Sequence, residues 1–372
     1  MRKSDNINIF ISAGDYSGDM HAGYLVQELK KYNPKIKVAA IGGIFLETNK
    51  SINFLVNIVK KQAFVYEDLF KQYFFFKNLL NKQIIPYLED NSVKLVILVD
   101  FYGFNIHLAK RAKKLGIKVI HYISPQVWAS RKNRLFKIKR FTDLVIPILP
   151  FEAKIYEEIG VQTFYAGNPL IDIVDKSLGD DFNLEKDCAI ALMPGSRMKE
   201  IKNILPIFLE ILERDDIETF LIVPKTVDLS FVKKMIIGRK IKIIEGPAYA
   251  LRSKVRFILT SSGTATLENA LLKTPMLIFY KLDRFSYFIA KLIAKIKYIG
   301  MPNILAGKEI MPEYIQNIDY TKAKQTFNFW LNDDNIIAEK QNELKKIIKG
   351  LKSREGSVLK NIAEYIGGFI KN

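Results

Sequence analysis

The chain reads as an α/β protein built from two open, parallel-stranded domains with a predominantly helical tail. Three observations predict this class: near-continuous apolar runs recur in two series, helical patterns alternate with them, and a punctuated stretch separates the series. At 372 residues the chain is also longer than one core usually organises.

In the first series NINIFIS, KVAAIGG, KLVILVD, IKVIHYIS and TDLVIPIL predict buried parallel strands, since they are apolar throughout rather than alternating. HAGYLVQELKKY follows the first run and NIHLAKRAKKLG precedes the fourth, both at helical spacing, the second ending on a glycine cap at Gly116. This βαβ pattern places a functional crevice outside the carboxyl ends of the strands. From residue 187, CAIALMP, TFLIVP, IKIIEG, VRFILT and PMLIFY supply a second set of strands, with helices after GSRMKE and SSGTATLEN. Between the series, YAGNPLIDIVDKSLGDDFNLEKD is rich in Gly, Pro, Asn and Asp. The expected organisation is a domain over 1–168, a linker over 169–186, a second domain over 187–345 and a helical tail over 346–372. Ile336, Ile337, Leu344, Ile347 and Ile348 recur at helical spacing late in the chain, with Lys345 and Lys346 facing water.

Lys and Arg total 57 against 39 Asp and Glu, a formal charge of +18, which favours anionic partners. The single cysteine, Cys188, lies in a strand-like run and excludes an intrachain disulfide framework. The basic N-terminus leads into only one strand's length of apolar residues, so no signal peptide is expected. No run reaches the roughly 18 to 20 apolar residues of a spanning helix. A cytoplasmic protein is expected, with membrane-surface contact left open.

Three loops carry chemistry. Ser12 to His21 follows the first strand: Gly14 and Gly18 allow close backbone approach, and Asp15, Asp19 and His21 can orient or deprotonate sugar hydroxyls, or simply cap the next helix. The loop lacks G-x-G-x-x-G and Walker A spacing, which sets nicotinamide and nucleotide-triphosphate chemistry behind transfer or rearrangement of a sugar nucleotide. Pro194-Gly195-Ser196-Arg197 opens the second domain with an anion nest, a hydroxyl and a guanidinium suited to diphosphate, with a solvated charge at the helix start as the alternative for Arg197. In TSSGTATLENA, Ser262, Gly263 and Thr264 form a compact polar loop, and Glu268, one turn into the helix, can accept from ribose hydroxyls or stand as a surface carboxylate. Asn303 and Glu309 follow a strand-like run. Glu309 and Gln316 would share a face if the intervening segment were helical, although Pro312 opposes that continuity.

On the opposite side, Asp100 ends a strand, where a carboxylate can take a hydroxyl proton. Asn105 reads as a helix cap. Gln126, Trp128 and Arg131 combine hydrogen bonding, sugar stacking and phosphate attraction, with a core anchor as the alternative for Trp128. Three histidines and one cysteine show no zinc spacing, so no metal is expected. Leu69, Phe70, Tyr73, Phe74, Phe76 and Leu80 form one apolar stripe beside Lys71 and Lys77. Phe285, Phe288, Ile289, Leu292, Ile293 and Ile296 form another, and each suits either a core or a lipid interface. A basic patch at Arg131, Lys132, Arg134, Lys137, Lys139 and Arg140 lacks the accompanying features of specific nucleic-acid recognition.

Taken in order, GDYSGDMHAG, VDFYGFN, HYISPQVWA, LPFE, GNPL, MPGSRMKEI, TSSGTATLENALLKTP and MPNILAGKEI resemble the lipid-A-disaccharide synthase family over nearly the whole chain. The resemblance implies a GT-B-type architecture of two Rossmann-like domains, with the tail packed back on the first. It implies an inverting glycosyltransferase that joins UDP-diacylglucosamine to 2,3-diacylglucosamine 1-phosphate and releases UDP, without a cofactor, at the cytoplasmic face of an anionic inner membrane. Carried over residue by residue, it makes Asp100 the general base with help from His21 and Asp19. It places Gly195, Ser196, Arg197, Ser262, Gly263, Thr264, Glu268, Asn303, Glu309 and Gln316 on the donor, and Asp15, Gln126, Trp128 and Arg131 on the acceptor. Asp15 replaces the family's glutamate, Tyr16 its small residue, and Gly103 a carboxylate of some relatives. A UDP-N-acetylglucosamine 2-epimerase-like enzyme and a non-enzymatic membrane adaptor are the alternatives. Oligomeric state is not predicted.

Overall fold

The computed structural model describes residues 8–65, 69–125, 134–179, 182–184, 188–212, 216–281 and 297–371. The chain divides into two compact units, one formed by Met1–Asp172 with Leu351–Asn372, the other by Ile173–Gly350. The stretch expected as a linker carries the helix Leu170–Ser177, whose start belongs to the first unit.

The first unit contains β1 (Asn8–Ala13), β2 (Lys37–Gly42), β3 (Asn53–Asn57), β4 (Leu95–Val99), β5 (Lys118–Tyr122) and β6 (Leu144–Ile146), all parallel, in the order β3-β2-β1-β4-β5-β6. β1, β4 and β5 are buried on both faces, which is why their sequences are continuously apolar. The edge strand β3 gives no clear strand signal in the sequence because its NFLVN is half-exposed and short. The final helix, Val358–Lys371, packs on the Tyr16–Tyr32 helix within this unit. Gly367 permits that approach, since a Cβ there would lie 2.1 Å from the Tyr32 ring. Asp172 starts the final helix, its Oδ2 accepting from Ser357 Oγ and Leu359 N–H, each at 2.7 Å.

The second unit repeats the plan with β7 (Ala189–Met193), β8 (Glu218–Val223), β9 (Ile241–Glu245), β10 (Phe257–Ser261), β11 (Met276–Tyr280) and β12 (Glu313–Ile315), ordered β12-β11-β10-β7-β8-β9. Numbered from its own first strand, this is the same 3-2-1-4-5-6 order as in the first unit. The crossover direction therefore reverses between β1 and β4 in one sheet and between β7 and β10 in the other. Four of the loops singled out above leave the carboxyl ends of these four strands. Met301–Ala306 is a helix rather than the strand-like run expected, with Pro302 at its first turn and Gly307 in the left-handed conformation at its end.

Candidate active site

In the first unit Asp100 occupies the turn that leaves β4. Asp100 and Phe101 both have left-handed backbone, at φ 44° and 46°. Neither has a glycine's freedom there, so the neighbours must hold the turn. Asn105 does so: its Nδ2 donates to the carbonyls of Asp100 at 2.8 Å and Val99 at 3.3 Å, and its Oδ1 accepts from Ser12 Oγ of β1 at 2.7 Å. The residue read as a cap is a buried brace between the two strands at the crossover reversal. Phe101 in turn lies over Gly14, where a Cβ would come within 2.0 Å of its ring. Burial raises the Asp100 carboxyl to about 7, and the neighbouring Asp15 charge adds to the rise. The Phe101 backbone and the Arg134 guanidinium pull in the opposite direction.

The other members of the first loop divide sharply. Asp15 caps the Tyr16–Tyr32 helix, its Oδ1 accepting from Gly18 N–H at 2.7 Å. Asp19 is 1% exposed, and both its oxygens accept backbone hydrogen bonds: from Gly43 at 2.7 Å, Phe45 at 2.8 Å and Leu46 at 3.3 Å. Burial raises its carboxyl while those three bonds lower it. Asp19 thus anchors the turn after β2, and its catalytic assignment is corrected because a sealed, occupied carboxylate cannot meet a substrate. His21 is corrected likewise. It is 1% exposed, burial lowers it to about 3, and its ring stands edge-on to Tyr122 at 6.4 Å. The imidazole is therefore neutral, and among the described residues no hydrogen bond joins it to Asp100.

Glu152, the acid of LPFE, is a buried residue the sequence reading did not single out. It meets Ser124 Oγ at 3.3 Å, while Tyr156 OH donates to the Pro125 carbonyl at 3.0 Å. Together they fix the turn after β5. Gln126, Trp128 and Arg131 lie outside the described residues, as does the whole second apolar stripe, Phe285 to Ile296. The first stripe splits. Phe76 packs against Phe101 and Phe104, and Leu80 is buried, whereas Phe70, Tyr73 and Phe74 on the Leu69–Leu79 helix are exposed beside Lys71 and Lys77.

In the second unit the loop after β7 makes the expected turn, with Gly195 at φ 137°. An internal anion occupies it. Glu200 Oε2 accepts from Ser196 N–H at 2.8 Å, and Glu200 Oε1 meets Arg197 Nη1 at 3.4 Å. Gly195 is obligatory here, since a Cβ would fall 2.5 Å from that of Glu200. Glu200 could have been found from its place three residues after the helix cap, where acids reach back to free N–H groups.

After β10, Ser262 Oγ donates to the Ile299 carbonyl at 2.9 Å. Gly263, at φ 144°, starts the Thr264–Leu271 helix with no side-chain cap and open space beside its Cα. Glu268 is fastened by Arg252 at 2.9 Å and Tyr249 OH at 3.1 Å. Asn303 requires correction. Its Nδ2 donates to the Met311 carbonyl and Glu313, and its Oδ1 accepts from Ile310 and Met311 N–H, all within 2.7 to 2.9 Å. With every amide site used and the residue fully buried, none is left for a donor. Nor do Glu309 and Gln316 share a helix face: Glu309 is exposed outside any helix and β12 intervenes. Gln316, at φ 61°, donates its N–H to the Tyr280 carbonyl at the end of β11.

Two parallel six-stranded sheets of the same strand order, flanked by helices and followed by a helical C-terminal segment, define the fold class as GT-B-type. The fold is similar to MnaA of S. aureus in its UDP co-structure, with TM-score 0.67, 13% identity and coverage of 98% of this chain and 97% of that one. It is likewise similar to MurG of Acinetobacter baumannii, with TM-score 0.57, 13% identity and coverage of 97% and 99%. Sequence narrows the class. The profile of lipid-A-disaccharide synthetase matches residues 9–366. The lipid-A-disaccharide synthase of Persephonella marina is 34% identical over 384 residues, covering 96% of this chain and 97% of that protein. The chain belongs to the lipid-A-disaccharide synthase family, the glycosyltransferases of lipid A synthesis, whose substrates are acylated glucosamine phosphates. This disfavours the epimerase and adaptor readings, the first of which rests on fold alone.

Proposed function

We propose that the chain transfers the diacylglucosaminyl group of UDP-2,3-diacylglucosamine to the 6-hydroxyl of 2,3-diacylglucosamine 1-phosphate in a single inverting displacement. The observation that carries this reading is Asp100, held by Asn105 at the carboxyl end of β4 with its carboxyl raised to about 7. Such a base is ionised in a useful fraction near neutrality and still basic enough to accept the hydroxyl proton. As that proton passes to Asp100, the hydroxyl oxygen bonds to the anomeric carbon on the face opposite UDP. The bond to the diphosphate breaks, and its electron pair leaves with UDP.

Arg197 and the free N–H groups at the start of the Thr264–Leu271 helix receive the charge that grows on the leaving diphosphate, without a metal or cofactor. Gly195, Ser196, Ser262, Gly263 and Thr264 shape the same diphosphate site, Glu268 holds the ribose, and Glu309 and Gln316 complete the donor side. Asp15, Gln126, Trp128 and Arg131 contact the acceptor. Activity assays with both lipid substrates test the reading: Asp100→Asn is expected to lower turnover by roughly a hundredfold or more with donor affinity retained. Near-normal turnover would remove Asp100 as base.

Phe70, Tyr73 and Phe74, exposed among lysines on a chain of charge +18, support peripheral binding at the cytoplasmic face of an anionic inner membrane. Among the described residues no helix is long and apolar enough to cross a membrane.

A further inference from the structure

We propose that Tyr249 and Arg252 are positioning residues that lock the Glu268 carboxylate in the orientation that reads the donor's ribose. The inference rests on the assignment of Glu268 to that sugar. Arg252 is 0% exposed, an unusual place for a permanent cation. All five of its N–H groups are used. Nε donates to Asn269 Oδ1 at 2.8 Å, and Nη1 to the Pro247 carbonyl at 3.1 Å and Glu268 Oε2 at 2.9 Å. Nη2 donates to the Ala265 carbonyl at 3.3 Å and Asn269 Oδ1 at 2.6 Å. A planar fork held at five points cannot turn without leaving buried donors unpaired, so the bond to Oε2 is fixed in direction.

The second oxygen is fixed separately. Tyr249 OH donates to Glu268 Oε1 at 3.1 Å, and the Tyr249 ring lies 5.0 Å from the Arg252 guanidinium carbon. Each carboxylate oxygen thus has one internal donor and keeps further acceptor capacity. The Glu268 side chain is 14% exposed, enough for a ligand to reach it but little room for it to swing. A vicinal diol offers two adjacent hydroxyl donors, which suit a carboxylate whose two oxygens are both held still. A lone Glu would have to be ordered by the ligand itself, at an entropic cost that the clamp removes beforehand.

The test compares UDP with 2′,3′-dideoxy-UDP by titration calorimetry in the native chain and in Arg252→Lys, Tyr249→Phe and Glu268→Gln. The native protein is expected to prefer UDP by roughly tenfold or more, the scale of hydrogen bonds to a charged group. Glu268→Gln and Arg252→Lys should each cut the preference to about twofold or less while affinity for the dideoxy ligand stays within about twofold. Tyr249→Phe, which removes one hydroxyl and is the milder change for folding, should cut it severalfold. Equal binding of both ligands by the native protein, or full preference in Glu268→Gln, would overturn the ribose assignment and the clamp with it. A native preference that is lost in Glu268→Gln but survives intact in both Arg252→Lys and Tyr249→Phe would overturn the clamp alone. So would equal weakening of both ligands by Arg252→Lys with Tyr249→Phe unaffected, the mark of a purely structural arginine.

Discussion

Asp100, the proposed base, should weaken the protein that carries it. Burial and the neighbouring Asp15 raise Asp100 from 3.8 to about 7. That rise of about three pH units, at about 1.4 kcal/mol each, places about 4 kcal/mol of folding free energy against the ionised side chain. Below about pH 4 the carboxyl is neutral folded or unfolded and costs nothing. As pH climbs, the unfolded chain loses its proton first while the folded chain keeps it to about 7, so stability declines across that window and levels off above it. Asp100→Asn keeps the shape and has no charge to bury. Urea unfolding of the two proteins at matched pH should give equal stability near about pH 4 and an advantage for the variant approaching about 4 kcal/mol by about pH 8. The difference between the proteins cancels groups that titrate alike in both. Native turnover should rise with pH through about 7, with the variant slow throughout. Parallel stability curves with a pH-independent offset would refute the buried-base account.

At the donor loop, Glu200→Ala should tighten UDP binding severalfold by removing an anion from the nest, and titration should show no such gain for uridine; weaker UDP binding would mean that Glu200 builds the nest rather than fills it. Asn303→Ala should lower stability by about 2 to 4 kcal/mol, because four buried hydrogen bonds lose their partner, with little change in the donor KM of the folded fraction. Phe74→Glu should reduce co-sedimentation with anionic vesicles several-fold at unchanged melting temperature. Unaltered partition would assign that aromatic to another contact.

Among the described residues, ten of the twelve strands are legible in sequence as apolar runs, most of them because parallel strands covered on both faces leave no polar alternation, whereas the edge strand β9 is only partly buried. β3 and β12 escape because they are short and only partly apolar: NFLVN is nowhere fully buried, and EYI is three residues long with only Tyr314 buried. The site loops are legible for the same reason the strands are, as each directly follows one. What sequence does not reveal is which polar group in a loop spends its hydrogen bonds internally. Asp15 and Asp19 stand four positions apart in one motif, yet the first is half-exposed and the second is sealed by backbone donors beyond β2. Those donors lie 24 to 27 residues away, and that pairing is a product of the sheet order alone. Asn303 and Arg252 are obscured in the same manner, their partners supplied by neighbouring elements rather than by spacing.

Internal carboxylates also explain where a diphosphate could be received. Free N–H groups at the start of a helix attract an anion, and this fold supplies its own at several starts: Asp15 for Tyr16–Tyr32, Asp19 for Ile44–Glu47, Asp172 for Val358–Lys371 and Glu200 for Met198–Ile211. They differ in how readily they could yield. Asp19 is enclosed, whereas the Glu200 side chain is 37% exposed and its partner Arg197 65% exposed, so water and ligand can compete for both. The Thr264–Leu271 helix, by contrast, has no side-chain cap, and Gly263 opens the space in front of it. In the proposed reaction a leaving diphosphate would meet an uncapped helix start after β10 and, after β7, a nest whose resident anion is exposed to competition. On the proposed reading, Arg197 gives the chain's positive charge a local use after β7, where binding would exchange one exposed carboxylate for two phosphates.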